Sequence, residues 1–114
     1  MNQHVDMLRG EVSLYLQSMG LRPSTKGYQY LCFALIQLLQ GTPFQNTIWA
    51  VTAIHFDQAL HNVLRCVRRE IKHAFVENPE RFADNQESST PTEPPKNAEF
   101  LRLAQAMLTA RYLI

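Results

Sequence analysis

Apolar residues recur at steps of three and four along almost the whole chain, which is the period of a helix surface and not of a strand. Val5, Leu8, Val12, Tyr15/Leu16 and Met19 keep this step, and Gly20 stands where a helix C-cap belongs. Arg22-Pro23-Ser24-Thr25 reads as a turn, with Ser24 or Thr25 as the next N-cap. Tyr28, Leu31/Cys32, Leu35 and Leu38/Leu39 make the most apolar helix, closed by Gly41 and Pro43, and its composition predicts a central position. Residues 47–54 are rich in β-branched side chains. A lone strand with no partner elsewhere cannot satisfy its backbone, so a helix is expected there too. A helix over about 58–75 is expected to follow Asp57 as its N-cap. A last one should start after the cap residue Asn97, with Glu99 in its first turn where the helix dipole favours an acid. The expected fold is all-α, a compact bundle of five or six helices.

With 114 residues, 46% of them apolar, the chain can bury one core, and residues 1–114 are expected to form a single domain. Eleven basic against ten acidic side chains leave a formal charge of +1, but the charge is unevenly spread. Residues 1–76 carry seven Lys/Arg and four Asp/Glu, whereas residues 77–99 carry six acids against Arg81 and Lys96. Near-neutrality therefore hides a basic body and an acidic insert. Within the insert, residues 84–96 (DNQESSTPTEPPK) hold three prolines and no aliphatic or aromatic side chain. Such a segment cannot bury enough surface to offset its ordering entropy, and a mobile acidic Pro/Ser/Thr-rich loop is expected. It could act as an acidic lid that competes with a polyanion, although a solvated linker is the simpler reading.

No apolar stretch approaches the ~18 residues of a membrane span. The charged start MNQHVDMLRGEV does not read as a signal peptide. Cys32 and Cys66 form no disulfide framework and fit packed thiols in a reducing compartment, so a cytoplasmic protein is expected.

The helix at 58–75 (QALHNVLRCVRREIKHAF) is the most informative segment. At about 100° per residue, Leu60, Val63, Leu64, Val67, Ile71, Ala74 and Phe75 gather on one side. His61, Arg65, Arg68, Arg69 and Lys72 gather on the other, and Glu70 alone interrupts, at the apolar edge. The preceding helix ends near His55-Phe56, so a short turn joins the two, which is the outline of a helix-turn-helix. Arginine suits base reading because its planar fork can bond guanine O6 and N7 together, while lysine offers a point charge for phosphate. A basic stripe is also what an ordinary solvated helix face looks like.

Other chemistry finds little support. Cys66 and His73 share a helix face, with His55 and His61 nearby in sequence, but no C-x-x-C or H-x-x-x-H pair supplies a zinc set. No glycine-rich phosphate loop, paired carboxylates or Ser/His/Asp arrangement suggests catalysis. Neither an enzyme, nor a metal or cofactor, nor a small-molecule substrate is expected. Trp49, Tyr28 and Tyr30 fit a helical core, although Lys26 or Tyr30, if exposed, could reach a phosphate.

Three stretches together resemble a known family. Residues 20–35 (GLRPSTKGYQYLCFAL) resemble an opening G-x-P followed by K-G-Y-x-Y-L-x-x-A-I, with the proline displaced by one position to Pro23. Residues 56–71 align without gaps on F-N-x-T-x-x-x-V-E-R-A-I-R-H-A-I, and residues 95–100 (PKNAEF) are similar to P-T-N-S-E-F. These patterns belong to the C-terminal DNA-binding effector domain of the sporulation master response regulators of spore-forming bacteria. The resemblance implies a recognition helix at about 58–75, with Arg65 and Arg68 on the family's two recognition-helix arginines. The departures sit on that helix. Leu64 replaces an acid that could accept from cytosine N4, His61 and Asn62 replace a Ser-Arg pair, and Arg69 replaces a histidine. The stretch from Ile36 to Phe56 is also shorter than the family's, and the acidic loop is longer.

In that family the effector domain follows a phosphoacceptor receiver that controls dimerisation, and these 114 residues contain none. If they are a whole gene product, control passes to abundance or to a partner; if they are an excised domain, the receiver lies elsewhere. The leading expectation is a sequence-specific double-stranded DNA-binding transcriptional regulator, binding as a homodimer or in tandem. His61, Asn62, Arg65, Arg68, Arg69 and Lys72 would face DNA, and Lys26 and Tyr30 would reach phosphate. The alternative is a helical interaction module that modulates a full-length regulator or RNA polymerase without specific DNA binding of its own.

Overall fold

The computed structural model describes residues 3–42, 47–82 and 92–112. Among them are five α-helices: α1 (Gln3–Ser18), α2 (Lys26–Leu39), α3 (Thr47–His55), α4 (Leu60–Glu77) and α5 (Asn97–Tyr112). A 3-10 turn at Pro79–Phe82 follows α4, and no strand occurs among the described residues. The fold is all-α. The apolar steps become core where they are described: Leu8, Val12, Tyr15, Leu16 and Met19 of α1 are all buried. The Val5 side chain and Pro43 lie outside the described residues, as do residues 84–91 of the acidic insert.

Three helix ends share one device. Gly20 (φ +96°) ends α1 and Gly41 (φ +106°) ends α2, each donating back into the last turn. The following residue closes the longer loop, with Leu21 N–H to Leu16 O at 3.0 Å and Thr42 N–H to Gln37 O at 3.0 Å. This pairing satisfies carbonyls the helix end would otherwise orphan, and it needs a left-handed residue. At the end of α3 the left-handed residue is Asp57 (φ +53°), with Gln58 N–H to Ala53 O at 2.9 Å. Asp57 thus terminates α3 and does not cap α4; the α4 cap position is Ala59, which has no side-chain capping bond. Asp57 still breaks the helical pattern between the two helices, because aspartate tolerates left-handed backbone better than most residues do. Asp57→Gly removes the residual strain and is expected to stabilise the fold by about 0.5–1 kcal/mol. A lower midpoint of urea unfolding in that variant would mean that the aspartate side chain contributes more than its backbone costs.

Helix α2 packs against each of the other four helices, most extensively against α4. Thr25 caps it, its Oγ1 accepting from Tyr28 N–H at 3.2 Å. Tyr28, Leu31, Ala34, Leu35 and Leu38 are buried along it. The close approach of α2 to α4 rests on Gly27, where a Cβ would overlap the Cys66 carbonyl oxygen and lie 2.9 Å from Glu70 Cβ. Trp49 of α3 is buried, and so is Ile48. The 3-10 turn inserts Phe82 between Phe75 of α4 and Phe100 of α5, at ring-centroid distances of 5.5 and 5.9 Å. Arg81 of the same turn donates from Nη1 to the Ser18 carbonyl at 2.6 Å and so closes the end of α1. No helix among the described residues is long and apolar enough to cross a membrane.

Candidate nucleic-acid interface

Helix α4 separates its faces as the periodicity predicts. Val63, Val67, Ile71, Ala74 and Phe75 are buried, and His61, Arg65, Arg68, Arg69 and Lys72 are exposed. Leu60 departs from the expected apolar face, being 46% exposed at the start of the helix. Leu64 is half-buried and packs against the core, so it extends the apolar contact of α4.

The remaining irregularity of the helical wheel, Glu70, has a specific partner. It is 2% exposed and accepts from Arg22 three times: from the backbone N–H at 2.7 Å, from Nη2 at 2.8 Å and from Nε at 3.3 Å. Burial by itself would raise the Glu70 carboxyl, but the side-chain and backbone hydrogen bonds from Arg22 outweigh it and hold the group below its ordinary value. The side-chain hydrogen bond to Glu70 in turn raises the Arg22 guanidinium. Glu70 therefore fastens the turn before α2 onto α4 and is not part of the exposed stripe. Sequence spacing pointed at Glu70 as an oddity and gave no hint of Arg22, 48 residues away.

The stripe residues differ in how they are held. Arg65 donates from Nη2 to Asn62 Oδ1 at 2.7 Å, and Asn62 donates from Nδ2 to Gln58 Oε1 at 3.3 Å. Half-buried Asn62 is thus positioned to orient Arg65 and presents less of itself than the exposed arginines do. Arg68 donates from Nη1 to the Pro95 carbonyl at 2.9 Å. Arg69 lines a cleft of about 260 Å3 together with Lys26 and Arg22, at the point where Gly27 lets α2 approach α4. Lys26 is exposed.

Tyr30 is a correction. It is 3% exposed, its ring lies edge-on to Phe56 at 5.0 Å, and burial raises its hydroxyl above the ordinary value. A side chain packed in this way belongs to the core and cannot reach a phosphate. Asn97 is a second correction. It is the first residue of α5 and not its cap: Phe100 N–H donates to the Lys96 carbonyl at 2.9 Å, and Lys96 N–H donates to Glu99 Oε1 at 3.2 Å. The Asn97 side chain instead donates to the Leu64 carbonyl at 3.0 Å, tying α5 to α4.

A second cleft shares no lining residue with this stripe. Phe33 stacks on His55 with centroids 4.0 Å apart, and Phe56 meets both edge-on. These rings border a largely apolar cleft of about 280 Å3 whose rim includes Arg9, and Ile54 nearby on α3 is 80% exposed. Among the described residues no group of three His, Cys, Asp or Glu side chains could hold a metal ion. Comparison with protein-family models and with curated proteins finds no match to the chain.

Proposed function

We propose that the protein is a sequence-specific double-stranded DNA-binding transcriptional regulator in which α3, the turn at 56–59 and α4 act as a helix-turn-helix. The observation that carries this reading is the exposed basic face of α4, with Arg65, Arg68, Arg69 and Lys72 on one side of a helix whose other side is core. A helix of 18 residues spans about 27 Å by its rise, long enough for its basic side to lie along a major groove while its apolar side stays packed on the domain. Arg65, oriented by Asn62, has the fork geometry for guanine, and Arg68 is the second base-reading candidate. His61 flanks them. Arg69, Lys72 and Lys26 are placed for phosphates, which set register and supply salt-dependent affinity. Binding as a homodimer or in tandem, and a role like that of the sporulation regulators' effector domain, belong to the same proposal.

Selection of random duplex DNA by the purified chain, sequenced after binding at two salt concentrations, tests it. An enriched motif is expected, and Arg65→Ala should weaken binding to that motif by roughly 1–3 kcal/mol and relax discrimination. Unchanged affinity and sequence preference in that variant would remove Arg65 from the interface.

The apolar cleft beside Phe33 and His55 supports a second reading, a helical module that binds a full-length regulator or RNA polymerase. Stoichiometric association with such a protein, undiminished at high salt and abolished by Phe33→Ser or Ile54→Asp, would favour it. Salt-sensitive retention on DNA would favour the first.

A further inference from the structure

The segment that leads into α5 runs beside α4 at Leu64 and Arg68 and bonds one of its exposed arginines. Pro95 accepts from Arg68 Nη1 at 2.9 Å, and Pro94 and Pro95 are half-buried. Just beyond, Asn97 Nδ2 bonds the Leu64 carbonyl, one turn before Arg68, so the segment is pinned to α4 at a second point. Glu93 and Glu99 share with Arg68 and Lys96 the rim of a cleft of about 380 Å3. Two consecutive prolines restrict the backbone and hold the Pro95 carbonyl in place at little entropic cost.

We infer that residues 93–96 form a built-in strap that competes with a polyanion for Arg68. A phosphate or base edge that takes the Nη1 side of the Arg68 fork must displace the Pro95 carbonyl, and Glu93 on the rim of the same cleft adds a like charge that opposes it. Arg65, Arg69 and Lys72 make no bond to the strap, so first contact with a polyanion can form on them. Arg68 then offers its whole fork only when the strap lifts. This inference rests on the DNA-binding reading for the identity of the polyanion, but not for the existence of the strap.

Two variants loosen the strap in different ways. Pro94→Gly/Pro95→Gly relaxes its backbone without changing charge, and Glu93→Gln removes its charge without changing backbone. Each is made in the natural chain and in an Arg68→Ala background. Affinity is measured at low salt for a selected duplex and, separately, for inorganic polyphosphate. Both variants should tighten duplex binding roughly two- to five-fold when Arg68 is present, and the gain should vanish in the Arg68→Ala background. An equal gain in both backgrounds would mean diffuse repulsion and would overturn the strap, as would no gain in either. If no chain binds duplex but polyphosphate shows the Arg68-dependent gain, the strap stands and the DNA reading falls. If no chain binds either polyanion, both fall.

Discussion

Gly27→Ala is expected to destabilise the fold by about 2 kcal/mol, and Gly27→Val by about 3 kcal/mol or more. At an ordinary exposed helix position the first change would be favourable by up to roughly 1 kcal/mol, because alanine is the better helix former. Here the new methyl would overlap the Cys66 carbonyl oxygen and crowd Cys66 C at 3.0 Å and Glu70 Cβ at 2.9 Å. Two of those atoms are backbone of α4 and cannot rotate away, so α2 must move outward. Because α2 touches every other helix, the displacement spreads through Leu31, Leu35 and their neighbours. Urea unfolding followed by far-UV circular dichroism measures the loss. A Gly27→Ala chain as stable as the parent would show that α2 and α4 do not cross this closely. Under the proposed function the same variant should also weaken DNA binding, since Lys26 and Arg69 line the cleft at that crossing.

Glu70→Ala should cost about 3 kcal/mol, since it leaves the Arg22 backbone N–H and guanidinium without their acceptor and opens a space between α2 and α4. Glu70→Gln keeps the shape and removes the charge, which makes it the better probe of pH dependence. The folded-state carboxyl lies below its ordinary value of 4.5, so its stabilising contribution is fully present above that value. It is lost as pH falls through the lower, folded-state value. The stability gap between the parent and Glu70→Gln is therefore expected to be widest near neutrality and to close under acid conditions. A gap that stayed constant down to pH values well below 4.5 would show that the pair does not depend on ionisation. At neutral pH the gap should shrink little with added salt, because Glu70 is shielded from solvent.

Taken together, Gly27 and the Arg22–Glu70 pair explain why the helix with the most polar outer face is also firmly seated. One allows close approach of α2 and α4, and the other ties the entry turn of α2 to α4. Both adjoin the stripe at Arg69, which shares a cleft with Gly27, Arg22 and Glu70. Under the proposed function, Arg65 and Lys72 project from α4 away from its buried side, so their substitution should change binding with little effect on unfolding.

The helical class, the central place of α2 and the division of α4 into core and basic faces were legible in the sequence because they depend on local periodicity. A residue's angle on a helix follows from its position in the chain alone, so His61, Arg65, Arg69 and Lys72 emerge exposed as expected. Gly20, Gly41 and Thr25 were legible for a related reason, since each cap acts within a few residues of itself. What the sequence could not decide is every feature that needs two distant segments to meet. Tyr30 carries a hydroxyl that suits a phosphate, but Phe56 arrives to cover its ring. Arg68 looks as free as Arg65, yet the chain returns 27 residues later to occupy it. Glu70 looks misplaced until Arg22 folds over it. Local pattern sets which way a side chain points from its helix; only the tertiary fold sets what it meets there.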